Sequence, residues 1–130
     1  MLCDTNIISE FARPQPNPGV LQWVQSVDQI TISVITLEEI YYGLSAKPNP
    51  KIQRLIEQFF AENCTILPVT DAIAQAAGIL RGRLRLQGQT RTQADMLIAA
   101  TAQVHQLTLI TRNIRDFEDC NIVTFNPFSG

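Results

Sequence analysis

Short apolar, β-branched runs alternate along the chain with longer segments of helical periodicity. The runs predict five strands, over residues 1–3, 30–35, 64–69, 108–111 and 121–125. Apolar residues at helical spacing fill most of the intervals between them. Strands that alternate with helices are typical of a parallel sheet covered by helices on both faces. The pattern therefore predicts an α/β fold with three layers, α/β/α, around a mostly parallel central sheet.

The helical intervals differ in how much apolar surface they carry. The spacing i, i+3, i+4, i+7, i+8, which marks a continuous apolar stripe, occurs at Ile52, Leu55, Ile56, Phe59 and Phe60. A second helix over Asp71–Leu86 should begin at the N-cap Thr70 and end near Gly88. Residues 94–104 are apolar on almost every face, so we expect a buried helix there. The proline-rich residues 14–19 predict a loop between two early helices.

Composition limits the size, the location and the metal chemistry of the protein. A chain of 130 residues, 45% apolar, suits one domain over residues 1–130 with one core. Its net charge of −2 argues against binding nucleic acid by bulk positive charge. Three cysteines without CxxC spacing, and no signal peptide or membrane-length apolar run, predict a soluble cytoplasmic protein. His105 is the only histidine, so we expect neither zinc nor histidine-based acid–base chemistry.

Four of the 12 acidic residues lie where a parallel sheet would present them together. Asp4 follows the first strand, Asp116 follows the fourth, and Glu39 is expected in the first turn of the helix after the second. Because the carboxyl ends of parallel strands share one edge, these three carboxylates should converge. Asp95 opens the buried helix and joins them if that helix begins at the same edge. Oxygen ligands without histidine or cysteine favour magnesium or manganese.

Each of these acids also has a purely structural interpretation. Residues 36–39 and 92–95 fit the capping-box pattern, Ser or Thr followed three residues later by an acid, and residues 113–116 form an asparagine-capped variant. Asp4 alone could make an Asx-turn. For any single residue, capping is the more common role. Their joint placement favours a metal site, because two carboxylates about 4 Å apart repel by about 4 kcal/mol at an effective dielectric of about 20.

The segments around these acids resemble the PIN-domain ribonucleases, and among them the VapC-type toxins of bacterial toxin–antitoxin pairs. Residues 2–8, 31–44, 94–102 and 109–117 carry the resemblance in the family's order. The resemblance implies an endoribonuclease that hydrolyses RNA with Mg²⁺ or Mn²⁺, forms a homodimer and binds a cognate antitoxin. The catalytic and metal-binding acids that it implies are Asp4, Glu39, Asp95 and Asp116. The supporting polar residues are Asn6, Thr111 and Asn113. The resemblance favours Glu39 over Glu38, because Glu39 lies four residues before Gly43, as the family's glutamate lies before its glycine.

Arginines supply the expected contacts to RNA. Arg112 and Arg115 flank Asn113 at the predicted active edge. Arg81 and Arg85 lie farther away on a helix, where a solvated helix face is an equal alternative. Contacts to an antitoxin or to a second copy could use apolar residues of the early helices, although the core is an equal alternative for each: Phe11, Trp23, Tyr41, Tyr42 and Leu44.

Two other protein classes place acids at strand ends and do not fit. A receiver-type switch needs an acidic pair after the first strand and a lysine near the last, but the lysines here are Lys47 and Lys51. A haloacid-dehalogenase-type phosphatase needs a second acid two residues after Asp4, where Asn6 stands. The alternative that stays open is a catalytically silent PIN-like module that binds a protein partner or RNA.

Overall fold

A five-stranded parallel sheet lies at the centre of the computed structural model, which describes residues 1–129. The strands are β1 (Leu2–Cys3), β2 (Ile30–Ser33), β3 (Cys64–Leu67), β4 (Leu109–Ile110) and β5 (Thr124–Phe125). Their order is β3-β2-β1-β4-β5, and every neighbouring pair runs parallel. The expected parallel sheet is confirmed, and the first strand is its middle strand.

Helices cover both faces of this sheet. They are α1 (Thr5–Phe11), α2 (Pro18–Ser26), α3 (Val34–Ala46), α4 (Pro50–Asn63), α5 (Asp71–Leu86), α6 (Gln93–His105) and a 3-10 helix (Ile114–Phe117). Side chains alternate along each strand. Leu2 and Leu109 therefore join the core formed with α5 and α6, whereas Cys3 and Ile110 join the core formed with α1 to α4. Two cores on opposite faces confirm the three-layer prediction.

The prediction for the end of β2 was wrong by two residues, and the reason is a side-chain cap. The Ser33 hydroxyl accepts the Ile35 backbone N–H at 3.0 Å, so α3 begins directly after the strand. Thr36 lies inside the helix and is buried rather than capping it. Glu39 consequently lies in the second turn of α3, and its predicted place in the first turn was also wrong.

A cap also moved the start of α2. Residues 14–19 were predicted as a loop, but α2 already includes Pro18 and Gly19. The Asn17 side chain accepts the backbone N–H groups of Gly19 and Val20 at 2.9 and 3.3 Å, and proline suits the first helical position.

At the other end of the chain, the predicted strand 121–125 shortens to Thr124–Phe125, and Asn121 takes a left-handed φ of 59°.

The predictions for α5 and α6 are confirmed. Thr70 caps α5 by accepting the Ile73 N–H at 3.2 Å, and Gly88 follows the helix with a φ of 80°. Helix α6 is buried over most of its length, from Met96 to Ala102, and packs against α5. Within residues 1–129, no helix is both long and apolar enough to cross a membrane.

The apolar residues proposed for partner contacts fall into two groups. Phe11, Trp23 and Leu44 are half-buried and pack against the core of α1 to α4. Tyr41 donates its hydroxyl to Glu57 at 2.8 Å, and Tyr42 is 71% exposed. Of the five, Tyr42 presents the most surface to a partner, and the first three are mainly core residues.

Candidate functional site

An open polar cleft lies beyond the carboxyl ends of β1 and β4. Its lining residues come from both strand ends, from α1 and α3, from the start of α6 and from the C-terminal segment: Asp4, Thr5, Asn6, Ser9, Glu10, Arg13, Glu39, Asp95, Arg112, Asn113 and Phe128. Helix α6 therefore begins at the same edge as the strand ends, as the expectation for Asp95 required. We call this site the acid cleft.

Asp4 is the most buried carboxylate of the acid cleft, with 5% of its surface exposed. It accepts the Thr111 hydroxyl at 2.8 Å, the Thr5 backbone N–H at 2.8 Å and the Asn6 amide at 3.2 Å. Burial raises the pKa of Asp4, these hydrogen bonds oppose the rise, and the charge of Asp116 adds to it. The structure thus places Asn6 and Thr111 against the carboxylate that they were predicted to support. Asp4 is also the N-cap of α1, while its carboxylate still lines the cleft.

Glu39 reaches the cleft from the second turn of α3. Its carboxylate accepts the Thr5 hydroxyl at 2.6 Å, and the same hydroxyl lies 3.2 Å from that of Thr36. The structural alternative for Glu39, a capping box over residues 36–39, is wrong, because Ser33 caps α3. Thr5 was not predicted as a site residue. Its position next to Asp4, in the first turn of α1, is the signal that could have identified it.

Asp95 combines a capping position with a site position. Its backbone N–H donates to the Thr92 hydroxyl at 3.1 Å, which confirms the predicted cap of α6. Its half-buried carboxylate lies in the cleft. Burial and the charge of Asp4 raise the pKa of Asp95 to about 6, with smaller contributions from Asp116 and Glu39 and an opposing one from Thr92. Asp95 therefore experiences the negative charge of all three other acids.

Asp116 is not among the side chains that line the cleft. It is exposed on the 3-10 helix, and its backbone oxygen accepts a hydrogen bond from Arg91. The asparagine cap proposed for this segment was wrong, because Asn113 makes no side-chain capping bond. Instead, the Asn113 N–H donates to the Thr111 hydroxyl at 3.0 Å. Asp116 still raises the pKa of both Asp4 and Asp95, so it lies at the rim of the same field.

The carboxylates of the acid cleft are chemically suited to a divalent cation, but they do not lie close enough together to form a ready metal cluster. Among residues 1–129, no three acidic, cysteine or histidine side chains come close enough to form a metal cluster. Glu39 and Asp4 instead satisfy their oxygens with the hydroxyls of Thr5 and Thr111. The carboxylates that share the cleft are hard oxygen donors, and their repulsion, visible in the raised pKa of Asp95, is a cost that a cation removes.

The predicted arginines occupy different places. Arg112 lines the acid cleft, whereas Arg115 is exposed on the 3-10 helix and is not among the lining residues. Arg81 and Arg85 lie in a separate groove along α5, which we call the arginine groove and which is lined by Gly78, Arg81, Gly82, Arg85, Thr90 and Arg91. Arg91 joins the two regions, because it also donates to the backbone of Asp116.

Four further residues that line the cleft were not predicted from the sequence: Ser9, Glu10, Arg13 and Phe128. Glu10 is only 8% exposed and accepts from Arg13 at 3.1 Å and from the Asn17 N–H at 2.8 Å. The i, i+3 spacing of Glu10 and Arg13 was the available signal. Phe128 has no comparable signal, because it reaches the cleft through the path of the chain after β5.

Sequence similarity to known proteins extends over nearly the whole chain. A family model described as the PIN domain matches residues 1–122. Toxin FitB from Neisseria gonorrhoeae is 32% identical, and the alignment covers 98% of this chain and 98% of FitB. VapC ribonuclease Y4jK from Sinorhizobium fredii is 28% identical, with 98% of this chain and 97% of the relative covered.

Solved structures extend the agreement to three dimensions. The crystal structure of FitAcB from Neisseria gonorrhoeae matches with a TM-score of 0.83 at 32% identity, covering 98% of this chain and 97% of that chain. A toxin–antitoxin complex from Klebsiella pneumoniae matches with a TM-score of 0.75 at 28% identity, covering 97% and 96%. Sequence, fold and the placement of the acids at the sheet edge lead to one conclusion: this chain belongs to the PIN-domain family.

Proposed function

We propose that this chain is an endoribonuclease that hydrolyses RNA phosphodiester bonds with Mg²⁺ or Mn²⁺ and is the toxin of a toxin–antitoxin pair. The observation that carries the proposal is the shared cleft of Asp4, Glu39 and Asp95, in which the neighbouring charges help raise the pKa of Asp95 to about 6. Relatives named as a toxin and as a VapC ribonuclease support the activity and the biological role.

The metal would be held by the three carboxylates of the cleft, with Asp116 contributing from the rim. A bound divalent ion lowers the pKa of a water molecule and offsets charge on phosphate oxygens. The surrounding polar groups keep the ligands in place. Thr5 orients Glu39 through its hydroxyl, and Thr111 and Asn6 donate to Asp4, which favours its ionised form.

A polyanionic substrate needs positive charge near this negative cleft. Arg112 is the arginine of the cleft rim, and Arg115 lies on the adjacent 3-10 helix. We assign Arg81 and Arg85 to a second contact with the RNA backbone in the arginine groove. Arg91 connects that groove to the segment that carries Asp116. RNA bound along this path would place phosphates on both sides of the acids.

Two protein partners belong to the proposal, namely a second copy of this chain and a cognate antitoxin that covers the acidic edge. The toxin–antitoxin complex from Klebsiella pneumoniae supports the second. An apolar pocket adjoins the acids on the α3 and α4 side, where Glu39 shares its lining with Ile40, Leu44, Ile52 and Ile56. A partner segment with apolar and basic side chains would match both surfaces. One domain over residues 1–130 remains part of the same proposal.

Cleavage assays on purified, antitoxin-free protein test the proposal directly. A mixed RNA pool is incubated with EDTA or with a magnesium or manganese series. We expect endonucleolytic fragments only with metal, and no fragments from Glu39→Gln. The matched control is Glu38→Gln, which changes the exposed neighbouring acid and should cleave like the wild type. Intact RNA over the whole metal range would refute the enzyme and favour the silent binding module.

A further inference from the structure

We propose that Phe128 is a positioning residue for RNA, whose ring holds the Arg112 guanidinium at the rim of the acid cleft to receive a substrate phosphate. The inference rests on the proposed RNA cleavage and adds a residue to it. Phe128 lies outside residues 1–122, the part of the chain that the family model matches. The C-terminal segment thus contributes to a cleft whose acids all come from the family core.

The two side chains are stacked. The guanidinium carbon of Arg112 lies 4.7 Å from the centroid of the Phe128 ring, and both residues line the acid cleft. An arginine stacked on an aromatic face keeps the N–H groups at its edge free to donate. The only ion pair among residues 1–129 joins Glu10 and Arg13, so no acid of the cleft neutralises Arg112. Its charge is available to an anion that arrives from outside.

The main chain fixes the other end of Arg112 relative to the acids. The Arg112 backbone N–H donates to the side-chain oxygen Oδ1 of Asn6 at 3.1 Å, and the side-chain NH2 of Asn6 donates to the Asp4 carboxylate at 3.2 Å. The backbone of Arg112 is therefore held next to Asp4. The long side chain beyond it has several rotatable bonds, and the stacking contact with Phe128 is what restricts it.

The C-terminal segment is itself held in place by contacts with Arg112 and with Gly19. Asn126 donates its amide to the Arg112 carbonyl at 3.4 Å and accepts the Phe128 N–H at 2.9 Å. Pro127 is buried, and a Cβ at Gly19 would lie 2.2 Å from the Pro127 carbonyl oxygen. Only glycine at position 19 allows this approach. The start of α2 therefore supports the segment that carries Phe128.

The competing explanation is that Phe128 only fills space, since it also packs against the core of α1 to α4. The two roles differ in what they require of the side chain. Packing needs apolar volume, which leucine largely supplies. Holding a guanidinium needs an aromatic face, which tyrosine and tryptophan supply and leucine does not. Phe128→Leu, Phe128→Tyr and Phe128→Trp therefore separate the two roles.

The test measures RNA affinity in EDTA, with a short uncleaved RNA over a salt series, and KM and kcat with manganese. We expect Phe128→Leu and Arg112→Gln each to raise Kd and KM about three- to ten-fold while kcat changes less than about two-fold. Each should also reduce the slope of log Kd against log salt by about 0.7, the value for one lost phosphate contact on a single strand. Phe128→Tyr and Phe128→Trp should bind like the wild type.

Two further variants test the mechanism. Because Phe128 acts through Arg112, the double variant that combines Phe128→Leu with Arg112→Gln should bind RNA no more weakly than Arg112→Gln alone. Gly19→Ala, which displaces Pro127, should weaken RNA binding in the same direction. Gly43→Ala, where the added Cβ meets nothing within 4 Å, is its control and should leave RNA affinity unchanged. Melting temperatures identify any variant that fails to fold. Because Arg112 is exposed, Arg112→Gln should leave the core intact.

Several results would overturn the inference. One is that Phe128→Leu binds RNA as tightly as the wild type. Another is that the losses of RNA affinity from Phe128→Leu and Arg112→Gln multiply when both are present. A third is that the single variants lose kcat without a change in KM. Cleavage by the wild type with RNA affinity insensitive to both single variants would refute this inference and leave the proposed function standing. An inactive wild type whose RNA affinity falls in both variants would refute the proposed function and support the role of Phe128.

Discussion

The acid cleft and the arginine groove are adjacent regions of opposite charge that are built in different ways. The cleft collects side chains from the ends of β1 and β4, from α1 and α3, and from the start of α6, and its carboxylates are hydrogen-bonded. The groove is mostly one face of α5, with Gly78 and Gly82 leaving open space beside Arg81 and Arg85. Side chains held in place by contacts between distant parts of the sequence suit catalysis, which needs fixed positions. An exposed helix face that carries arginines suits binding to the phosphates of an RNA backbone.

The largest expected effect comes from removing a charge in the acid cleft. Asp95→Asn and Asp4→Asn each change volume little, and we expect RNA cleavage to fall at least about 100-fold, mainly in kcat. The control is Asp71→Asn, which alters the acid in the first turn of α5 and should leave activity unchanged. Single-turnover rates with saturating manganese give the answer. Full activity in Asp95→Asn would remove Asp95 from the proposed site.

The next effect is a pH dependence that the groove should not share. Burial and the charge of Asp4 raise the pKa of Asp95 to about 6, and a cation binds the ionised carboxylate. Manganese affinity should therefore be constant above about pH 7 and fall about tenfold per unit as pH drops below about 6. Calorimetric titration of the protein with manganese across this range measures it. Affinity for RNA in EDTA depends on arginines and should not show the same break, and an equal break would contradict this prediction.

A smaller effect is expected from the groove. Changing Arg81 and Arg85 together to glutamine should raise KM several-fold, leave kcat nearly constant and reduce the salt slope by about 1.4. The matched control is the pair Lys51→Gln and Arg54→Gln, which removes two charges from the exposed side of α4. Steady-state kinetics at several salt concentrations compare the two double variants. Equal losses in both would mean that net charge, and not the groove, determines affinity.

The smallest effect on activity separates the cap of α6 from the site. Thr92→Ala removes the hydroxyl that accepts the Asp95 N–H, so it should cost about 1 kcal/mol of stability while RNA cleavage changes only a few-fold. Thermal melts in EDTA and cleavage rates measure both. Thr92→Ser keeps the acceptor and should melt like the wild type.

Asp95→Asn should move stability in the opposite direction. The native pKa of Asp95 lies above its ordinary value of 3.8, so the folded state binds this proton more tightly than the unfolded chain. The stability that results is fully present below about pH 4 and is lost as pH rises through about 6. In EDTA at neutral pH, the asparagine variant should therefore melt at or above the wild type. A clear drop would mean that Asp95 is chiefly a cap.

Much of the fold was predictable because its periodicity and its caps are local. The stripe of α4, the Thr70 cap of α5 and the buried face of α6 all depend on residues close together in the chain. The predicted boundaries were wrong where a single side-chain cap decides whether a residue continues a strand or begins a helix. The strand was predicted to continue to residue 35, but Ser33 both ends β2 and caps α3, which places Glu39 in the second helical turn.

The candidate site was less predictable because its contacts are distant in sequence. Strand ends placed Asp4 correctly, but the pattern alone could not place Asp95 at the same edge, and the resemblance to PIN-domain ribonucleases did so. Asp116 has the expected spacing after β4, and the 3-10 turn that leaves it exposed at the rim of the cleft was not predicted. The stacking of Phe128 on Arg112 depends on how the chain returns after β5, which no local pattern records.

The central position of β1 has a consequence for synthesis of the chain. β1 is synthesised before both strands that it pairs with, β2 and β4, and Asp4 is hydrogen-bonded to Thr111, 107 residues later. Such non-local pairing must await the second partner, so a nascent chain that lacks β4 has no cleft floor. The acid cleft is therefore complete only after β4 and Thr111 have been synthesised, and a chain truncated before β4 should not cleave RNA.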